Sequence, residues 1–172
     1  KQELVSFGVK LKEDIEVIKQ EIYKLAGEEF NINSTLQLGN ILFEKLKLPV
    51  YKKTKKGYST DVDILEKLKP EHPIIEKILE YRGFMKLNST YIEGLIVYIN
   101  EYTHKIHSYF HQTITATGRI SSTEPNLQNI PTRAEQGKQI KKASKAQKGN
   151  IIIDADYSQI ELRILAHISQ DK

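Results

Sequence analysis

Cysteine is absent from the 172 residues, which excludes disulfide scaffolds, cysteine-ligated zinc and thiol nucleophiles together. The lack of disulfides fits a reducing compartment. No run approaches the roughly 18 apolar residues that a membrane-spanning helix requires. Lys1-Gln2-Glu3-Leu4 opens neither an apolar signal region nor a small-residue cleavage site, so no secretory signal is expected. There is no initiating methionine, which fits a piece cut from a longer chain. What is present suffices for a core: 39% of the residues are hydrophobic and 28% charged, the make-up of one large domain or two small ones rather than a disordered tail.

The net charge of +4 is unevenly placed. Between Pro131 and Asn150, Arg133, Lys138, Lys141, Lys142, Lys145 and Lys148 face a single acid, Glu135. After Ile151 the sign reverses, with Asp154, Asp156, Glu161 and Asp171 against Arg163 and Lys172. A basic stretch leading into an acidic one suits a polyanion held beside a metal, and equally a solvated lysine-rich loop.

Apolar spacing organises the first hundred residues. Leu4, Phe7, Leu11, Ile15, Ile18, Ile22 and Leu25 predict a long amphipathic helix ended by Gly27. Ser34 and Gln37 form a capping-box pattern ahead of a second helix with Leu38, Ile41, Leu42 and Leu46, closed by Pro49. Lys52 to Gly57 reads as an exposed basic turn. Thr60 with Asp63 predicts a cap for a third helix, and Pro70 and Pro73 bracket a break before a fourth built on Ile74, Ile75, Ile78 and Leu79. Asn88-Ser89-Thr90 reads as the polar start of a fifth. Beyond Asn100, Ile106, Phe110 and Ile114 predict a strand. A long polar loop follows from Thr115 to Thr132, Ile151 to Ile153 predict a buried strand, and Ser158 with Glu161 predicts a capped last helix. The expected fold is mainly α, with an α+β part after residue 100 whose sheet has an uncovered face and edge.

Three groups carry candidate chemistry. Asp154 and Asp156 at a strand end could share a face and hold a hard cation, or could be a polar turn. His104, His107 and His111 have zinc-like spacing on a helix, but on the expected strand they divide between two faces. The loop from Thr115 to Arg133 is dense in amides and hydroxyls around Arg119, groups that suit phosphates and base edges, or that tie a loop to its own backbone.

Thr115-Ala116-Thr117-Gly118-Arg119 through Asn126-Leu127-Gln128-Asn129-Ile130-Pro131, followed by Asp156-Tyr157-Ser158-Gln159-Ile160-Glu161-Leu162-Arg163, closely resembles the family A DNA polymerases, the second string being that family's motif A. Ala26 to Ser34, Tyr81-Arg82 and Ser89-Thr90-Tyr91-Ile92 resemble the family's thumb. The resemblance implies a helical thumb subdomain over 1–100 and, over 101–172, the first part of an antiparallel-sheet palm ending just after motif A. It implies a DNA-directed DNA polymerase working on primer–template DNA and deoxynucleoside triphosphates with two Mg2+ ions, in the cytoplasm at the nucleoid. Asp156 would be a catalytic metal-bridging aspartate and the Tyr157 carbonyl a metal ligand. Ser158, Gln159, Ile160 and Glu161 would meet the nucleotide, Glu161 disfavouring ribonucleotides at the 2′-hydroxyl. Arg119, Asn126, Gln128 and Asn129 would contact the minor groove, and Lys86, Ser89 and Thr90 the phosphate backbone. Asn88 stands where the family usually has lysine, Lys12 where it usually has aspartate.

The resemblance also implies that the fingers lysine and tyrosine, and the motif with the second aspartate, would follow Lys172, so this chain alone is expected to be inactive. The competing readings are a non-catalytic duplex-binding module and, remotely, a glycosyltransferase using Asp154 and Asp156 around a nucleotide-sugar.

Overall fold

The computed structural model describes residues 2–54, 57–130, 140, 142 and 144–170. Helix α1, Gln2–Ala26, follows its apolar spacing: Leu4, Leu11, Ile15, Ile18 and Ile22 are buried along one side, and the chain leaves the helix at Gly27 with a positive φ. Ser34 caps α2, Thr35–Gly39, its hydroxyl accepting from the Gln37 amide at 3.4 Å. The reciprocal half of the box differs from expectation. Gln37 Oε1 accepts from the Asn31 amide at 2.8 Å, because the Ser34 amide already donates to the Asn31 carbonyl. The second helix continues as a π-helical turn, Asn40–Lys45.

The basic turn is a small hairpin, β1 Lys53–Thr54 against β2 Gly57–Tyr58; Lys55 and Lys56 lie outside the described residues. Helix α3, Val62–Leu68, takes Asp61 rather than Thr60 at its N-cap. Thr60 is buried and held from elsewhere: Arg82 donates to its carbonyl and, at 3.1 Å, to its hydroxyl. The Asp61 carboxylate accepts from Ser59 at 2.7 Å and Lys52 at 3.4 Å, bonds that hold it below the usual carboxylate range.

Helix α4, Ile74–Lys86, runs without a break into a π-helical turn, Leu87–Glu93, and the short α5, Gly94–Ile96. The expected helix start at Asn88 is therefore not there. Asn88 is buried, and the Ser89 hydroxyl donates back to the Met85 carbonyl at 2.9 Å, serving the preceding turn instead of opening a new one. Helix α1 lies against α4 and this turn. At Gly8 the approach is so close that an added Cβ would sit 3.0 Å from the Ile92 methyl. Lys77–Glu21 at 2.7 Å and Lys12–Glu93 at 2.8 Å tie the rims of the same contact. The core is helical and includes the buried Ile140; Leu127 and Ile130 pack on it from the loop.

The α+β part is sparse. Strand β3, Tyr109–His111, pairs antiparallel with β4, Ser121–Thr123, in register Phe110 to Ser122. Ile106 makes only an isolated bridge to Ile99, and Ile114 is exposed beyond β3. Ile151, Ile152 and Ile153 form neither a strand nor part of the core; they are 81%, 66% and 79% exposed. A strand exists only against a backbone partner, and among the described residues none lies beside this segment. Helix α6, Ile160–Ser169, has no buried residue, so its apolar side is bare. The chain is thus mainly α, with a small antiparallel sheet after residue 100 and helix α6 near the end of the described residues.

Candidate nucleic-acid interface

The turn after α4 alternates inward and outward in helical fashion. Leu87, Asn88, Tyr91 and Ile92 are buried, while Lys86, Ser89, Thr90 and Glu93 face out. The Lys86 cation and the Thr90 hydroxyl are so displayed from one element, while the neighbouring Ser89 hydroxyl donates to the Met85 carbonyl. Lys12 bonds the Glu93 carboxylate at 2.8 Å and Asn88, from beneath the turn, donates to it at 3.1 Å; together they hold Glu93 below the usual carboxylate range.

The polar loop is shaped by its own side chains. Thr115 to Gly118 close a turn through Gly118 N–H to the Thr115 carbonyl, with φ +73° at Gly118, a conformation glycine adopts without the Cβ penalty. The Thr115 hydroxyl donates to the Arg119 carbonyl, which sets the start of the Arg119 side chain. After a cis Glu124–Pro125 bond, Asn126 Oδ1 accepts from the Gln128 amide at 3.0 Å and the Ser122 hydroxyl at 3.3 Å. Gln128 Oε1 accepts from the Ser122 amide at 3.1 Å, and its Nε2 donates to the Ile120 carbonyl at 2.7 Å. Both ends of Gln128 thus bond the loop itself, and Asn126 joins it.

Helical turn and loop meet. The buried Tyr91 donates its hydroxyl to the Asn129 carbonyl. Between them lies a cleft of about 430 Å³ lined by Lys86, Thr90, Tyr91, Leu95, Pro125, Asn126 and Asn129. Four of the seven residues expected from the sequence to touch DNA therefore share one concavity, with Ser89, Arg119 and Gln128 outside its lining. A larger groove of about 500 Å³, beside Lys19, Tyr23 and Tyr81, includes none of them.

The motif A residues lie apart from the cleft. Asp154, Asp156, Tyr157 and Ser158 are exposed in an irregular segment. The expected capping box from Ser158 to Glu161 is not formed: the chain enters α6 through Gln159 at φ 54°, without a side-chain cap bond. Glu161 instead pairs with Arg119, its side chain 76% and that of Arg119 72% exposed. Ile160 opens the helix beside it.

Among the described residues no group of three or more His, Cys, Asp or Glu could hold a metal ion. Magnesium is held by one or two carboxylates together with waters and substrate phosphates, so Asp156 and the Tyr157 carbonyl, exposed side by side, fit part of such a ligand set. The histidines are not gathered either. His107 bonds Thr103 at 2.7 Å and His111 bonds Thr123 at 2.8 Å. Of the basic stretch, Arg133, Lys138 and Lys141 lie outside the described residues; Lys145 pairs with Glu3. Tyr91, which tethers the loop, and the apolar anchors Leu127, Ile130 and Ile140 carry no sequence signal for these roles beyond the place of Tyr91 in the thumb-like string.

Comparison with known proteins gives the family and the fold of the chain. The DNA polymerase family A model matches residues 1–172. DNA polymerase I of Geobacillus stearothermophilus is 56% identical over 98% of this chain, and that of Bacillus subtilis (strain 168) is 57% identical over 96%. The chain spans 19% and 18% of those proteins. The solved POL domain of Pol1 from M. smegmatis, in complex with DNA primer-template and dNTP, superposes with a TM-score of 0.85 at 41% identity, over 99% of this chain and 30% of that one. A match over the whole length, with the helical turn and the polar loop together in one fold, places the chain in DNA polymerase family A.

Proposed function

We propose that this chain is the thumb, 1–100, and the first part of the palm, 101–172, of a DNA-directed DNA polymerase, and that primer–template duplex lies along the cleft between helical turn and loop. The observation that carries this is the convergence of Lys86 and Thr90 with Asn126 and Asn129 on one concavity. The Lys86 ammonium and the Thr90 hydroxyl would hold phosphates, and the Ser89 hydroxyl would join them on turning away from the Met85 carbonyl. Arg119 and Asn129, with the amide hydrogens of Asn126, would meet minor-groove acceptors that differ little between base pairs, so the grip would tolerate any sequence. Gln128, bonded at both ends within its loop, would position these groups rather than touch a base.

The activity of the whole protein would be nucleotidyl transfer to a primer 3′-hydroxyl from a deoxynucleoside triphosphate. Asp156 would be one of its catalytic acids, with Ser158, Gln159, Ile160 and Glu161 beside the nucleotide. Magnesium would neutralise charge on the transferred phosphate when bound. Asp156 and the Tyr157 carbonyl are a partial ligand set, so the chain alone would grip duplex without extending it. Work on DNA in the cytoplasm at the nucleoid goes with this reading; among the described residues no helix is long and apolar enough to cross a membrane.

One titration tests both halves. Fluorescence anisotropy of a labelled recessed primer–template should show binding that weakens as salt rises and that exceeds binding to single strand. The same complexes, given deoxynucleoside triphosphates and magnesium, should leave the primer unextended. Absence of a duplex preference would overturn the grip; extension lost on Asp156→Ala would overturn the expected inactivity.

A further inference from the structure

The ion pair between Arg119 and Glu161 joins two groups that the proposed function uses separately, one on the duplex and one beside the nucleotide. They lie 42 positions apart in the sequence. Arg119 is carried by the Thr115–Gly118 turn, Glu161 by the first turn of α6. A carboxylate accepts from a guanidinium, as phosphate oxygens and the single minor-groove acceptors of the bases do, and so competes with them for the same donors.

We propose that Glu161 acts as an internal stand-in for the duplex in the DNA-free protein, occupying Arg119 until DNA takes it, so that duplex binding is what frees Glu161 for the nucleotide position. The proposal rests on the reading of Arg119 and Glu161 given above. Two features of the pair suit a contact that must open. Both side chains are largely in water, at 72% and 76% exposure, so the pair is weak and each partner is resolvated on release. The freed carboxylate also remains in the first turn of a helix, where the backbone dipole favours an anion. Because coupling between binding events is reciprocal, whatever affinity Glu161 withholds from the duplex is returned as a preference for the Glu161-free state once DNA is bound.

A double-mutant cycle on recessed primer–template affinity at low salt tests this. Glu161→Gln removes the charge and keeps the shape. It should tighten duplex binding about two- to fivefold, the range open to an exposed pair. The same change made in Arg119→Ala should leave the affinity unaltered. Tightening of equal size in both backgrounds would mean simple repulsion between Glu161 and DNA and would overturn the proposal, as would no tightening in the protein that retains Arg119. Failure of the unmutated protein to bind duplex at all would overturn the grip itself, a different result from binding that ignores Glu161.

Discussion

Arg82 shows how much a single side chain decides in this fold. It crosses from α4 to the segment before α3 and satisfies both the carbonyl and the hydroxyl of the buried Thr60. Burial pulls its guanidinium below the usual arginine range, while the nearby Asp61 opposes that shift. Arg82→Ala would leave two buried acceptors without a donor, at a cost of about 1–3 kcal/mol in urea unfolding. Arg82→Lys should restore little, since one ammonium lacks the fork that reaches both oxygens. A sequence rule for helix caps selected Thr60, because such rules count only neighbours along the chain. The competing donor comes from 22 residues away. The same limit applies to Glu161, whose spacing from Ser158 predicts a cap and whose partner in space is Arg119.

At the scale of the element, helices α1 and α6 carry the same kind of apolar stripe and have opposite fates. Ile22 of α1 is fully buried against the helical core, and Ile164 of α6 is exposed. Ile22→Ala is therefore expected to cost about 2–5 kcal/mol, through lost transfer energy and a residual cavity. Ile164→Ala should stay within about 0.5 kcal/mol. Chemical denaturation of the two variants side by side checks the contrast; equal losses would mean that α6 is packed in solution. The π-helical turn belongs to this scale too. Its Ser89 and Thr90 read as a polar helix start, yet α4 runs through them because Asn88 and Ser89 find partners within the helix. What the run-through achieves is placement: Lys86 and Thr90 face the loop that Tyr91 tethers.

Across the whole molecule, order is unequally distributed. Residues 2–96 share one apolar core, joined by Leu127, Ile130 and Ile140. The segment from Ile151 to Gln159 lies outside any strand and is exposed throughout. Backbone amides of Leu11, Ile22, Leu65 and Ile78 should exchange slowly, governed by global unfolding, and those of Ile151 to Ala155 near the rate of an unstructured chain. Hydrogen exchange of the purified monomer reads both at once. Slow exchange from Ile151 onward would mean that a backbone partner covers this segment.

The sequence by itself determined the helical module, because apolar spacing, glycine and proline act locally and residues 2–96 bury their stripes against one another. It also determined the family, through two long strings in order, and with it the residues to examine. Only the tertiary structure decided which of those side chains are displayed and which are bound inward. Asn126 and Asn129 line the cleft, Gln128 is tied within its own loop, Arg119 meets Glu161, and Ile151 to Ile153 stand bare. The physical reason is that a polar group takes whichever donor or acceptor the fold brings within about 3 Å, and a strand takes whichever backbone lies beside it. Neither neighbour is written in the spacing of the residues around it.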